Sequence, residues 1–239
     1  MLFSKIRNLK VKFLILLLVI PLLVFVLLLF NLNFYFGMGI EACLGDCIVM
    51  ISGRNFNVFL IITVLVSTYV FKEKNKLLIL RQKSKQVIYV RDFLLMITII
   101  FVLLLYVYFC TVFIGSLFAT SFLNWQEQIS IYCIVTKSIN PSVSIMQVLW
   151  ITWVFNFMSL VMLNTAYVTI LFVTQKHIYG CLFLVVAVTI GYKFLHLFAD
   201  YRLFHSMDKI HVHVLGFITI SAISFWIGYV NAERKDYLE

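Results

Sequence analysis

Long apolar runs separated by short charged segments dominate this chain. A helix needs about 20 apolar residues to cross roughly 30 Å of hydrocarbon. Six runs meet or approach that length: residues 13–36, 55–71, 93–119, 145–173, 178–199 and 214–230. The pattern predicts an all-α polytopic membrane protein, with residues 1–239 forming a single transmembrane domain and no soluble domain or linker. Pro21 falls inside the first run and predicts a kink. The second run is short unless it begins nearer Ile48, and the sixth is also short. The first run exceeds the ~7–15 residues of a signal-peptide core, and no small-residue cleavage site follows it, so an uncleaved anchor is expected.

Charge orients the runs. With the N-terminus in the cytoplasm, the inner segments hold Lys5, Arg7, Lys10 and Lys12, then Lys72, Lys74, Lys76, Arg81, Lys83, Lys85 and Arg91, then Lys176, and finally Arg234 and Lys235. The outer segments hold only Arg54, Lys137, Arg202 and Lys209. This bias predicts both termini inside and an even number of crossings. Composition agrees: 63% of residues are hydrophobic and 12% charged, whereas soluble domains are about half apolar and a quarter charged. The net charge of +9 does not point to nucleic acid, because the basic residues flank apolar runs and form no continuous face.

The one sizeable cytoplasmic segment, Lys72 to Asp92, reads KEKNKLLILRQKSKQVIYVRD. Asn75 is suited to cap a helix. Leu77, Leu78, Leu80, Val87, Ile88 and Val90 give an apolar side, and Arg81, Lys83, Ser84 and Lys85 a basic one. A short amphipathic helix at the inner surface is expected between the second and third spans. It is either a basic segment held by anionic lipid or a docking element for a cytosolic partner.

The pattern Leu80-Arg81-x-x-Ser84-Lys85, placed between a second and a third span, resembles the coupling segment of type-2 ABC-exporter permeases. The basic N-terminal elbow, the six spans and the tight turn at Gln175-Lys176-His177 are similar to that family along the whole chain. The resemblance implies a bacterial plasma-membrane permease, often for peptide, lantibiotic or drug export, that pairs with a second permease. It also implies that Arg81, Ser84 and Lys85 touch a separate ATPase. The chain has no G-x-x-x-x-G-K-[ST] and no Gly-Lys pair, so ATP and Mg would be held by that partner. No cofactor in this chain and no catalysis by it are expected. The chain departs from the family in its short outer segment Asp200 to His213, where the family often folds re-entrant helices.

Other residues bear on function. Asn156, Ser159, Asn164, Thr165 and Thr169 are polar groups in the fourth span. They should face other helices, as interhelical contacts or as a translocation path. Lys193, with His196 and Asp200 on the same helix face, either snorkels to the outer surface or lines an outer vestibule. Gly115 with Ser116, and Ser67 with Thr68, would permit close helix approach. Trp150, Trp153 and Trp226 suit interfacial belts or packing. Cys43 and Cys47, four apart in a segment expected outside (Glu41 to Arg54), are a disulfide or two free thiols. His196, His205, His211 and His213, with Asp200 and Asp208, are the only grouping that suggests a metal or haem, but no ligand signature accompanies them, and no metal site is expected. All ten carboxylates read as belonging to loops or tails. A membrane enzyme or redox subunit built on the late histidines, and a non-transporting immunity or assembly protein, are the alternative functions.

Overall fold

The computed structural model describes residues 2–72, 85–139, 142–174, 176–194, 200–205 and 210–232. Arg81, Ser84 and His196, and residues 73–84 of the expected amphipathic segment Lys72 to Asp92, lie outside the described residues; Lys85 to Asp92 form the first turns of a long helix. The helices are α1 (Leu2–Phe36), α2 (Leu44–Ser52), α3 (Asn57–Lys72), α4 (Lys85–Gly115), α5 (Ile131–Thr136), α6 (Ile145–Thr174), α7 (His177–Phe194), α8 (Tyr201–His205) and α9 (Ile210–Asn231), with a 3-10 turn at Arg54–Phe56. The fold is all-helical and compatible with a polytopic membrane protein.

Four helices are long and apolar enough to cross a membrane, over Leu18–Phe36, Gln86–Gly115, Ile145–Leu171 and Ile210–Asn231. A fifth crossing arises if α2 and α3, bent by 51° at their junction, count as one broken span. The fifth expected run is represented by α7, whose apolar part His177–Thr189 is shorter than a span. The described residues thus hold four or five of the six expected crossings.

Three helix boundaries depart from the apolar runs. A separate helix, α2, precedes Asn55, and all nine of its residues are buried in the bundle. Leu44–Ser52 is therefore packed against other helices and not exposed. The third begins earlier, because Lys85–Asp92 continues without a break into the helix that ends at Gly115. The sixth starts at Ile210, which places His211 and His213 on a helix. Two positions apart there are separated by roughly 200°, so the two rings do not share a face.

α1 closes with Ile40 N–H donating to Tyr35 O and Gly39 N–H donating to Phe36 O, at 3.1 and 3.0 Å. This is a Schellman turn, and Gly39 takes the left-handed position at φ 72°, which glycine adopts without a Cβ penalty. α6 is the central helix and packs against α2, α3, α4, α7 and α9. Side-chain contacts fix the directions. Ser52 meets Asn156, and Thr63 and Ser67 meet Asn164, so the α2–α3 pair runs parallel to α6. Phe155 packs on Phe217, and Thr169 bonds Ser224 O, so α9 also runs parallel to α6. Tyr108 meets Asn156 while Tyr89 lies against Gly228, so α4 runs antiparallel. Cys43, Gly115 and Ile145 accordingly lie at one end of the bundle, here the Gly115 end, and Lys72, Lys85 and Asn231 at the other. Apolar side chains are exposed along the outer faces, among them Phe30, Phe109, Phe113, Leu182, Leu215 and Trp226. Helices that are apolar on every side occur inside large cores or in membranes, and here the exposed faces have the composition of a lipid boundary.

Candidate functional site

Two buried polar assemblies stand out. The first is a seam along α6. Asn156 Nδ2 donates to Ser52 O at 3.2 Å and to Tyr108 Oη at 3.1 Å, and Tyr108 Oη lies 2.8 Å from Ser52 Oγ. Ser52 is the last residue of α2, where helix carbonyls lack an intrahelical partner; Asn156 supplies a donor at the break between α2 and α3. Two turns further on, Asn164 Nδ2 donates to Thr63 Oγ1 at 3.0 Å, and Ser67 Oγ donates to Asn164 Oδ1 at 2.7 Å. Near the other end, Tyr167 Oη lies 3.1 Å from Thr68 Oγ1 and 3.2 Å from His177 Nδ1, joining α3, α6 and α7.

Asn156, Ser159, Asn164 and Thr165 are all fully buried. The two asparagines are bonded across helices, and Thr165 Oγ1 donates to Val161 O in its own helix. Ser159 Oγ is buried without a hydrogen-bond partner. In this conformation the two asparagines therefore serve contacts between helices. Lys193 is in the last turn of α7, apart from the seam in sequence. Gly115 does permit close approach: a Cβ there would come 3.0 Å from Cys47 Cβ.

The second assembly lies at the Gly115 end. Cys43-Leu44-Gly45-Asp46 opens α2 with a reciprocal cap: Asp46 N–H donates to Cys43 Sγ at 3.4 Å, and Cys43 N–H donates to Asp46 Oδ2 at 3.0 Å. An acidic side chain here also suits the positive end of the helix dipole. The other carboxylate oxygen, Oδ1, accepts from Trp125 Nε1 at 2.9 Å and from Tyr201 Oη at 3.1 Å. Asp46 and Trp125 are both 0% exposed. Trp125 stacks on Tyr132 with ring centroids 4.5 Å apart and meets Phe204 edge-on at 5.2 Å. Burial pushes the Tyr201 phenol well above the usual tyrosine range, and the nearby Asp46 raises it further; Tyr201 is held neutral, as a donor.

No family model, curated protein or solved structure matches the chain.

Cys43 and Cys47 are free thiols in the structure, as is every other cysteine. Of the two readings left open by the sequence, the structure has the free thiols: Cys43 Sγ caps α2, and Cys47 Sγ lies 3.9 Å from Gly115 O. Among the described residues no group of three or more His, Cys, Asp or Glu is placed to hold a metal. The expectation that carboxylates stay in loops or tails fails at Asp46, which is inside a buried helix, and at Asp92, which is 4% exposed on α4. Trp125, Tyr132, Tyr201 and Tyr108 were not singled out by sequence. The Cys-x-x-Asp spacing before an apolar run is the one local signal that could have found the cap.

Proposed function

We propose that this chain is the transmembrane permease subunit of an ATP-driven ABC exporter, moving a hydrophobic or amphipathic peptide or drug-like substrate. In this reading it lies in a bacterial plasma membrane with both termini cytoplasmic. It pairs with a second permease, the same or homologous, and ATP and Mg are bound by separate ATPase subunits. The observation that carries the reading is α4, an unbroken helix of 31 residues that begins in the basic segment and ends against α2. Its first turns are wedged into α9. Tyr89 is fully buried, and the Phe225 ring lies 5.6 Å from Tyr89 and 4.5 Å from Phe93. Gly228 leaves the notch that Tyr89 fills: a Cβ there would come 2.7 Å from Tyr89 Cζ. A force applied at the basic segment would therefore pass along α4 to the Gly115 end and sideways into α9. This is the mechanical layout that a coupling element requires.

Within this reading Arg81, Ser84 and Lys85 face the ATPase, and Arg81 forms bidentate bonds to a carboxylate there. Replacing Arg81 by alanine should weaken ATPase association by about 1–3 kcal/mol, the range of a hydrogen bond to a charged group. Loss of one lipid-facing charge would cost only about 1 kcal/mol of membrane attraction and leave partner binding unchanged. The test is to purify wild type and Arg81→Ala at equal expression and quantify the co-eluting ATPase. Equal amounts would remove Arg81 from the interface.

A further inference from the structure

We propose that Asp46 is the latch of a movable cap over the Gly115 end, and that Cys43 and Cys47 lie in the passage exposed when the latch lets go. Three pieces of chain distant in sequence converge on this one carboxylate. They are the N-terminus of α2, the α4–α6 connection through Trp125, 79 residues away, and α8 through Tyr201, 155 residues away.

The cap has a fixed edge and a free one. Its fixed edge is backbone: Leu44 N–H donates to Ser121 O at 2.9 Å, Gly45 N–H to Phe122 O at 3.2 Å, and Thr120 N–H to Ala42 O at 3.1 Å. These bonds tie residues 120–122 to the start of α2. Beyond them, the connection and α8 are held down by ring packing among Trp125, Tyr132, Tyr201 and Phe204 and by the two bonds to Asp46 Oδ1. α8 has five residues, far too few for an isolated helix to persist in water, so its order depends on this docking.

The chemistry of the latch favours reversibility. All three partners of Asp46 are neutral donors: an indole N–H, a phenol and a backbone N–H. A buried carboxylate loses its hydration, and neutral donors repay less of that loss than a cation would. Opening the cap returns the carboxylate to water, which offsets part of the cost of exposing the rings. These opposing terms narrow the free-energy gap between the closed and the open state. Both thiols are 0% exposed, Cys43 in the reciprocal cap with Asp46 and Cys47 against Gly115. Gly45 separates the first from the lid: a Cβ on it would lie 3.5 Å from both Cys43 Sγ and Trp125 Cζ2.

The native cysteines make the test direct. Full-length protein in detergent micelles is treated with a hydrophilic maleimide, and labelling of each cysteine is followed by peptide mass spectrometry. Cys133, half-buried in α5 outside the long apolar helices, serves as the reference. In wild type, Cys43 and Cys47 should react far more slowly than Cys133. Asp46→Asn keeps the size of the side chain but turns an amide N–H₂ toward donors. It should speed labelling of Cys43 and Cys47 about tenfold relative to Cys133, as expected for loss of roughly one charge-assisted bond from an opening equilibrium. Tyr201→Phe keeps the ring and removes one bond, and should give a smaller acceleration of the same two sites; it decides the matter if Asp46→Asn does not fold. The latch is refuted if a folded variant labels Cys43 and Cys47 at the wild-type rate, or if the wild-type thiols already react as fast as Cys133. No ATPase, cargo or membrane orientation enters this measurement, so the proposal stands or falls separately from the exporter reading.

Discussion

Replacing Asn156 by leucine removes a donor from the break between α2 and α3 while nearly conserving volume. The side chain donates to Ser52 O at 3.2 Å and to Tyr108 Oη at 3.1 Å. The first loss is the larger. A buried carbonyl at a helix end that loses its donor costs about 1–3 kcal/mol, because the surrounding side chains offer no replacement water. The second is smaller, since Tyr108 keeps Ser52 Oγ at 2.8 Å; interhelical bonds between membrane helices average about 0.6 kcal/mol. Together the expected destabilisation is about 2–3 kcal/mol. Asn164→Leu is the matched control. It also loses two interhelical bonds, but Thr63 Oγ1 still donates to Leu60 O and Ser67 Oγ to Thr63 O. No group is stranded, and the cost should be about 1 kcal/mol. The assay is reversible unfolding in mixed micelles by sodium dodecyl sulfate, followed by far-ultraviolet circular dichroism. If Asn156→Leu lies within about 0.5 kcal/mol of wild type, or costs less than Asn164→Leu, the account of Asn156 as the clasp of the broken span is refuted.

Two further predictions follow from the packing and the charge pattern. Gly228→Ala should displace the Tyr89 ring and destabilise the protein by about 1–3 kcal/mol, and trimming the ring in the double variant Gly228→Ala/Tyr89→Leu should recover part of that loss in the same assay. A cysteine introduced at Gln126 should react with an impermeant reagent from outside the cell, and one at Lys83 only from the cytoplasm; external labelling at Lys83 would overturn the orientation.

The long spans were legible because a lipid-facing helix writes its burial into continuous composition, and runs 13–36, 93–119, 145–173 and 214–230 needed no partner to be recognised. The asparagines of α6 were legible too, since a polar group in an apolar run must face another helix. α2 was not. Gly45, Asp46, Ser52 and Gly53 interrupt LGDCIVMIS and its flank enough to resemble an outer loop, yet every residue of that helix is buried. The reason is tertiary: Asp46 is tolerated inside only because Trp125 and Tyr201 bring donors to it from remote parts of the chain, which no local pattern records. Trp125, set between Asn124 and Gln126, reads locally like an interfacial residue. The late histidines carry no ligand signature in sequence, and a helical backbone splays His211 from His213.

The central claim is that this chain works as a permease driven by a partner's ATP hydrolysis. Its most direct test is to isolate the tagged wild-type chain from its native membranes in mild detergent, identify what co-elutes, and assay hydrolysis. The account predicts a co-eluting ABC ATPase in comparable amount, with ATP hydrolysis that co-purifies with the chain. A chain that elutes with no nucleotide-binding partner, and whose function proceeds unchanged without nucleotide, would contradict it.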